Sequence, residues 1–482
     1  MWCKVISQLF KARRTLFAVL VCGISFAQLP PPEQAALDRI SATSLRTNLS
    51  YLASDELEGR LTPSHGLDLA ADYIAKQFKD AGLEPAAKDG TYFQKAAFEE
   101  APIKNVAVHL RSATSQLAVP AAEVRVRSFE ALNLTNAVVS KLPVNGVIPE
   151  VAGKIVAGEE RRYGDEITLS ELQARKPALI LLIGRTRSAR AGGDTGPQGP
   201  PPELLDEVDG NHAPVIRIRK TEAQDLLRGR DPLTISAQLA QPTVHAVTLR
   251  NVAGLLPGSD AKLKDEYLLI TAHYDHLGKN AKGVFYGAND NGSGTVSVIE
   301  IARGLAALTP HPRRSIIFMT VFGEEEGLLG SYYYSHHPLF PLRNTVVNIN
   351  LEQMGRIDDP AGRKVGEFLV TGPSFSNVAS IMGEAAKTEG VAVYTRKDAD
   401  DYYDRSDNYS FAQFGMISHT IVVAVDYPDY HALGDKVDKI DFANMAKVDR
   451  GVAAGILRIA DDTEPPVWTN APGAAIYKNA GH

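Results

Sequence analysis

The chain has 482 residues, of which 44% are hydrophobic and 22% charged, ordinary globular proportions with apolar material for a large core. At this length two or three domains are expected. A formal net charge of −6 argues against nucleic acid as a partner, because a phosphate backbone calls for a basic face.

Lys4, Lys11, Arg13 and Arg14 precede an apolar run from Leu16 to Ala27, with small Ser25 and Ala27 set as at a signal-peptidase site. The run is too short to span a bilayer comfortably. Residues 1–27 therefore read as a secretory signal, and the mature protein as secreted or periplasmic without a stable membrane anchor. Both cysteines, Cys3 and Cys22, fall inside this segment. Without thiols, any metal must be held by histidine and carboxylate, which favours Zn, Mn or Co.

Pro30-Pro31-Pro32 makes a stiff lead-in. Residues 33–85 read as helical, with Leu45, Leu49 and Leu52, then Ala70, Ala71, Ile74, Phe78 and Leu83, at helix-like spacings and Gly82 as a C-cap. Between the two helices lies a polar loop, Ser54 to Arg60. Residues 90–115 are strand-like. From about 116 to 245, short apolar runs such as Ala178-Leu-Ile-Leu-Leu-Ile alternate with turn-rich spacers, which predicts an inserted, mostly β domain. The Gly/Pro-dense stretch 191–202 reads as a loop. Strand–helix alternation then runs from strand 266–272 through helix 293–308, strand 314–321, helix 328–336, strand 344–351, strand 366–371, helix 375–388 and strand 391–395. A helix near 409–414, a strand at 418–425 and a long helix at 441–461 close it. This predicts an α/β fold: a mostly parallel mixed sheet flanked by helices on both faces, built from 33–115 and 246–462. Residues 463–482, rich in proline, read as a loose tail.

His273 ends an apolar strand, and Asp275, two residues on, is placed to hold its imidazole in one tautomer. Asp290 sits in Asn289-Asp290-Asn291-Gly292-Ser293-Gly294 before an apolar helix. Alone this is a turn with an N-cap, but a carboxylate there can bridge two metals. Glu324, Glu325 and Glu326 follow another strand. Adjacent carboxylates repel unless a cation sits among them or one is protonated, although a solvated acidic loop is the bland alternative. Glu352 ends a third apolar strand, where a buried carboxylate needs a partner. His431, after the strand at Ile421–Val425, supplies a second histidine. Two histidines and three carboxylates are the inventory of a two-zinc hydrolytic site. One further carboxylate is needed as general base, and the glutamate triplet provides it.

In order along the chain, His-x-Asp, Asn-Asp-Asn-Gly-Ser-Gly, Glu-Glu-x-Gly-Leu-x-Gly-Ser, Asn-x-acid and Tyr-His resemble the co-catalytic di-zinc exopeptidase family. That family includes secreted bacterial aminopeptidases, glutamate carboxypeptidase II and the transferrin receptor. The inserted region resembles the protease-associated domain of many members. The resemblance implies two Zn2+ per chain, with Asp290 bridging, His273 and Glu352 on one ion, and Glu325 and His431 on the other. Glu324 would be the base, Tyr430 would polarise the scissile carbonyl or support its oxyanion, and Asp275 would orient His273. The Gly-Leu-x-Gly-Ser after the triplet anchors this register. A non-proline cis peptide is implied at Asp290–Asn291. Ser406-Asp407-Asn408 stands where the family has Ser-Asp-His, so Asp407 joins Arg356 and Arg405 as a candidate substrate contact. The implied activity is that of a secreted zinc aminopeptidase acting on peptides or proteins. Alternatives are a carboxypeptidase, for which Arg356 and Arg405 would face the substrate carboxylate, a cyclotransferase, or an inactive binding or scaffold relative.

Overall fold

Four parallel strands form the centre of the molecule: Tyr267–His273, Ser315–Val321, Thr345–Glu352 and Ser418–Val422. Both faces of their sheet are covered, so Tyr267–His273 and Ser315–Val321 are near-continuous apolar runs, while Thr345–Glu352 and Ser418–Val422 also bury polar residues such as Asn348, Asn350 and His419. Alternate residues point to opposite faces. Leu268, Ile270, Ala272, Ile316 and Phe318 enter one core, while Leu269, Ile317, Met319 and Val321 enter the other. The larger core is roofed by helices Ala42–Leu52, His65–Ala81, Gly294–Leu305, Val378–Ala386 and Phe442–Asp461. The smaller is closed by Leu329–His336 and Asn408–Ala412 through Tyr334 and Phe411.

The computed structural model describes residues 29–480 apart from 101–105, 129, 144–146, 161–165, 185–202 and 205–212. The expected signal at 1–27 and the loop at 191–202 lie outside the described residues. Among the described residues no helix is long and apolar enough to cross a membrane. Helix ends follow local chemistry. Ser64 Oγ accepts from Leu67 N–H (3.1 Å) at the start of His65–Ala81, and Gly82 ends that helix at φ 90°.

Antiparallel strands extend the parallel centre on both sides into a ten-stranded mixed sheet. Glu367–Val370 pairs with Ser418–Val422 at one end, and His245–Leu256 pairs with Ser315–Val321 at the other, followed by Phe93–Glu100.

A separate eight-stranded sheet comes from residues 107–239, with helices Glu166–Ala174 and Thr221–Arg228 and two apolar cores of its own. Ala107–Arg111, expected in the unit 33–115, pairs instead with Leu233–Leu239 in this second sheet. Its Val108 and Leu110 alternate inward into the second core. Alternation identifies a strand but not the sheet that receives it. The tail is a second correction. Trp468 bridges to Ser376, and the helix Ala474–Lys478 lays Tyr477 against Tyr403 (5.0 Å between ring centroids). Aromatic burial outweighs the loosening effect of the prolines there.

Candidate metal centre

The carboxyl ends of the parallel strands converge on one edge of the sheet, where open α/β sheets place their sites. His273 ends its strand opposite Val321, three residues before Glu324, and Glu352 ends its strand opposite Val422.

Asp290 arrives from a turn that is fastened on all sides. Gly287 stands at φ +54°, and a Cβ there would lie 2.4 Å from His276 Cγ and 2.3 Å from Asp290 O, so no side chain fits. Asp435, buried, accepts from the N–H groups of Asn289 (2.9 Å) and Asp290 (3.0 Å). Asn289 Oδ1 accepts from Gly355 N–H and Arg356 N–H, and Asn291 donates to Leu351 O, which ties the turn to the strand carrying Glu352. The Asp290–Asn291 peptide is cis, as the resemblance implies.

Asp290 is shared by two donor sets. His273 Nε2 lies 3.4 Å from its Oδ1, and His431 Nε2 lies 3.1 Å from its Oδ2 and 3.2 Å from Glu325 Oε2. Ligand atoms of His273, Asp290 and Glu352 fall within 4.8 Å of one another, and so do those of His276, Asp290 and Glu325. Both ring nitrogens of His273, Nε2 of His276, Oδ2 of Asp290 and Oε2 of Glu352 are buried without a hydrogen-bond partner. Leaving so many buried polar atoms unsatisfied is costly, and a divalent cation in each set would satisfy them. The residues fit two zinc ions.

The electrostatics point the same way. Burial would raise Asp290 and Glu325, but the neighbouring histidines hold Asp290 well below the usual carboxylate range and Glu325 at about 2. Burial would lower His431, but Glu325 and Asp290 push it up to about 11. Each side asks for positive charge in the same small volume, where a metal would compete with protons. Glu324 is different. Burial drives its carboxyl well above the usual range and Glu352 and Glu325 push it further, with only His273 opposing; it lies 3.9 Å from His273 Nε2. Glu352 is pushed up to about 7, by burial first.

The remaining expected residues divide. Asp275 is buried, 3.4 Å from His273 Nδ1, and is itself fixed by the N–H of Glu324 (3.1 Å) and the hydroxyl of Thr62 (3.2 Å). Tyr430 stacks on His431 at 3.9 Å between ring centroids and stands 41% exposed at the rim. Asp407 is buried, accepts from Ser331 Oγ (2.6 Å), keeps Oδ2 unpartnered, and is raised to about 6 by burial. The two arginines both have partners within the chain. Arg356 is 4% exposed and spends its guanidinium on Asp358 and Asp429 (2.9 Å), joining the segment after Glu352 to the one before His431. Arg405 is exposed and stacks on Tyr402 (4.8 Å), beside Asp398. Burial raises Glu326 to about 8, partly offset by Arg125 of the second sheet, with Asp275 and Glu325 adding to the rise.

Sequence reasoning missed His276, whose Nδ1 lies 2.8 Å from Glu325 Oε1. The signal was present in His273-Tyr274-Asp275-His276, but His276 falls beyond the strand, where period-two alternation no longer says which way a side chain points. Asp435 was missed because nothing in a lone aspartate announces that it caps a turn 145 residues away.

The model of peptidase family M28 matches residues 251–456. The chain is 25% identical over 271 residues to aminopeptidase YwaD of Bacillus subtilis strain 168, covering 55% of each. It is 30% identical over 221 residues to a probable leucine aminopeptidase of Trichophyton verrucosum, covering 43% of this chain and 54% of the relative. The chain thus matches about half the length of these curated relatives. In fold it is similar to the aminopeptidase from Aneurinibacillus sp. strain AM-1, with a TM-score of 0.61 at 20% identity over 90% of this chain and 97% of the other. A zinc aminopeptidase of Bacillus subtilis, BSAP, aligns with a TM-score of 0.51 at 19% identity over 88% and 97%. The stretch that matches the family M28 model, residues 251–456, carries both donor sets and Glu324.

Proposed function

We propose that this chain is a secreted zinc aminopeptidase that works with two ions. One observation carries the reading: a single buried carboxylate, Asp290, joins two clusters of possible ligand atoms, several of them buried without a hydrogen-bond partner, with Glu324 beside His273 and His431 beside Glu325. His273 and Glu352 would hold one ion with Asp290, and Glu325 and His431 the other. Zinc, when bound, supplies Lewis acidity towards the scissile carbonyl and towards an attacking water.

The chain's own residues do the rest. Desolvation pushes Glu324 towards holding a proton, which suits a group that takes one from water and returns it to the departing amine. Asp275 keeps His273 oriented and, by accepting from Glu324 N–H, ties the base to the same scaffold. Tyr430 stands at the rim, where its hydroxyl is available to the carbonyl oxygen in the transition state. Carboxylates, not free guanidinium groups, dominate the centre, which suits a substrate's free α-amine. A carboxypeptidase would need a cation for the terminal carboxylate, and Arg356 is already committed to Asp358 and Asp429. An inactive scaffold would have lost donors that this chain keeps. The names of the M28 relatives, two of them aminopeptidases, support the same choice.

The test is a panel of aminoacyl and N-blocked peptide substrates, assayed with and without chelator on protein of measured zinc content. Hydrolysis of free-amine substrates by protein holding about two zinc per chain, abolished by chelation, is expected. Cleavage of blocked peptides alone would overturn the aminopeptidase assignment.

A further inference from the structure

The loop ending at Arg60 looks polar and exposed in sequence, yet Arg60 is 0% and Thr62 3% exposed. A buried guanidinium is costly unless its donors are used and its charge is balanced. Arg60 uses its donors on backbone carbonyls: Nε on Tyr274 O (2.7 Å), Nη1 on Leu52 O and Tyr286 O (2.9 Å), and Nη2 on Gly287 O (3.0 Å). No carboxylate is paired with it among the described residues. Its charge is balanced at longer range by Asp275, Asp435, Asp290 and Glu325.

The carbonyls it grips are informative. Tyr274 lies between His273 and Asp275, and Gly287 opens the turn that delivers Asp290. The same segment accepts from His276 N–H through Arg60 O (3.1 Å) and from Gly278 N–H through Gly59 O (3.0 Å), while Thr62 donates to Asp275 (3.2 Å). Gly59 makes this approach possible: it sits at φ +75°, and a Cβ would meet Gly278 O and Phe285 O at 2.4 Å. Residues 59–62 therefore hydrogen-bond to two of the segments that carry proposed ligands, those of His273 and Asp290, and to none of the ligand atoms.

We infer that Gly59–Thr62 is the positioning segment of the metal centre. Arg60 sets the spacing of His273 and Asp290 through the carbonyls of Tyr274 and Gly287, and Thr62 sets His273 through Asp275. The inference rests on the two-zinc reading. It also makes a distinction that charge alone does not. A cation near two dications repels them, so a purely electrostatic Arg60 would weaken zinc binding, whereas a positioning Arg60 strengthens it.

The experiment is zinc competition against a chromogenic chelator on Arg60→Lys, Arg60→Met and Thr62→Val, with circular dichroism to verify folding and kcat and KM measured separately. Thr62→Val is nearly isosteric and keeps the test alive if an Arg60 variant does not fold. Folded Arg60→Lys and Thr62→Val should each lose about 10- to 100-fold in zinc affinity, with kcat falling more than KM rises. Wild-type affinity in both folded variants, or tighter zinc binding by Arg60→Met, would overturn the positioning role alone. Wild-type protein that takes up no zinc would overturn the reading of the site itself.

Discussion

Glu324 and Glu325 are neighbours in sequence with opposite electrostatic circumstances. Glu325 faces two histidines and is held ionised at about 2, while Glu324, desolvated first and then crowded by carboxylates, is pushed towards its neutral form. Glu324→Gln keeps the shape and removes the proton acceptor, so turnover should fall by about 10²- to 10⁴-fold while zinc is retained. Glu325→Gln should lose one of the two ions. Metal analysis beside kinetics separates the cases, and zinc loss from Glu324→Gln would shift the register of the triplet by one. At this scale the sequence is informative where a residue's type and strand position coincide, as at His273 and Glu352, which end neighbouring strands and whose donor atoms meet at Asp290. It was silent where orientation is set by contacts far along the chain. Arg356 illustrates this: its charge suggested a substrate carboxylate, but Asp358 and Asp429 claim it. His276 is the converse, a loop residue that folding turns inward.

The central strands owe part of their stability to a polar pairing that also senses pH. His419, in Ser418–Val422, is fully buried, with Nδ1 2.8 Å from Thr371 O and Nε2 2.6 Å from Ser376 Oγ. The carbonyl can only accept, so Nδ1 carries the proton and Nε2 accepts from the serine. Burial lowers this histidine to about 4 from an ordinary 6.5. Above pH 6.5 it is neutral folded and unfolded, and contributes no pH dependence. As pH falls towards 4 the unfolded chain binds a proton that the folded chain refuses, so stability is lost across that window, by on the order of 3 kcal/mol in all. His419→Gln, which can make both hydrogen bonds without titrating, should flatten the dependence of melting temperature between pH 6.5 and 4. An unchanged slope would place the acid sensitivity elsewhere. The strand was readable from the apolar run Ile421–Val425 at its end; its histidine's partners, 43 and 48 residues away, were not.

At the scale of the whole molecule, the alternation of strands and helices was enough to predict the large mixed sheet, because parallel strands buried on both faces leave an unmistakable apolar signature. The second sheet was harder to delimit. Its outer strands are half-exposed, and Ala107–Arg111 would satisfy either sheet on pattern alone. The two units nonetheless have separate apolar cores, and the described strand pairing between them is the two-residue Glu203–Leu204 on Phe93–Glu100. All the proposed ligands lie in the first unit. If cores define cooperative units, the protein should unfold in two calorimetric transitions. A ligand stabilises only the unit that binds it, by RT ln(1 + [L]/Kd). Chelation should therefore lower one transition by several degrees and leave the other in place, and adding back zinc should restore it. A single transition that moves as one on chelation would mean that the contact between the units, including Arg125 near Glu326, couples the second sheet to the stability of the metal centre.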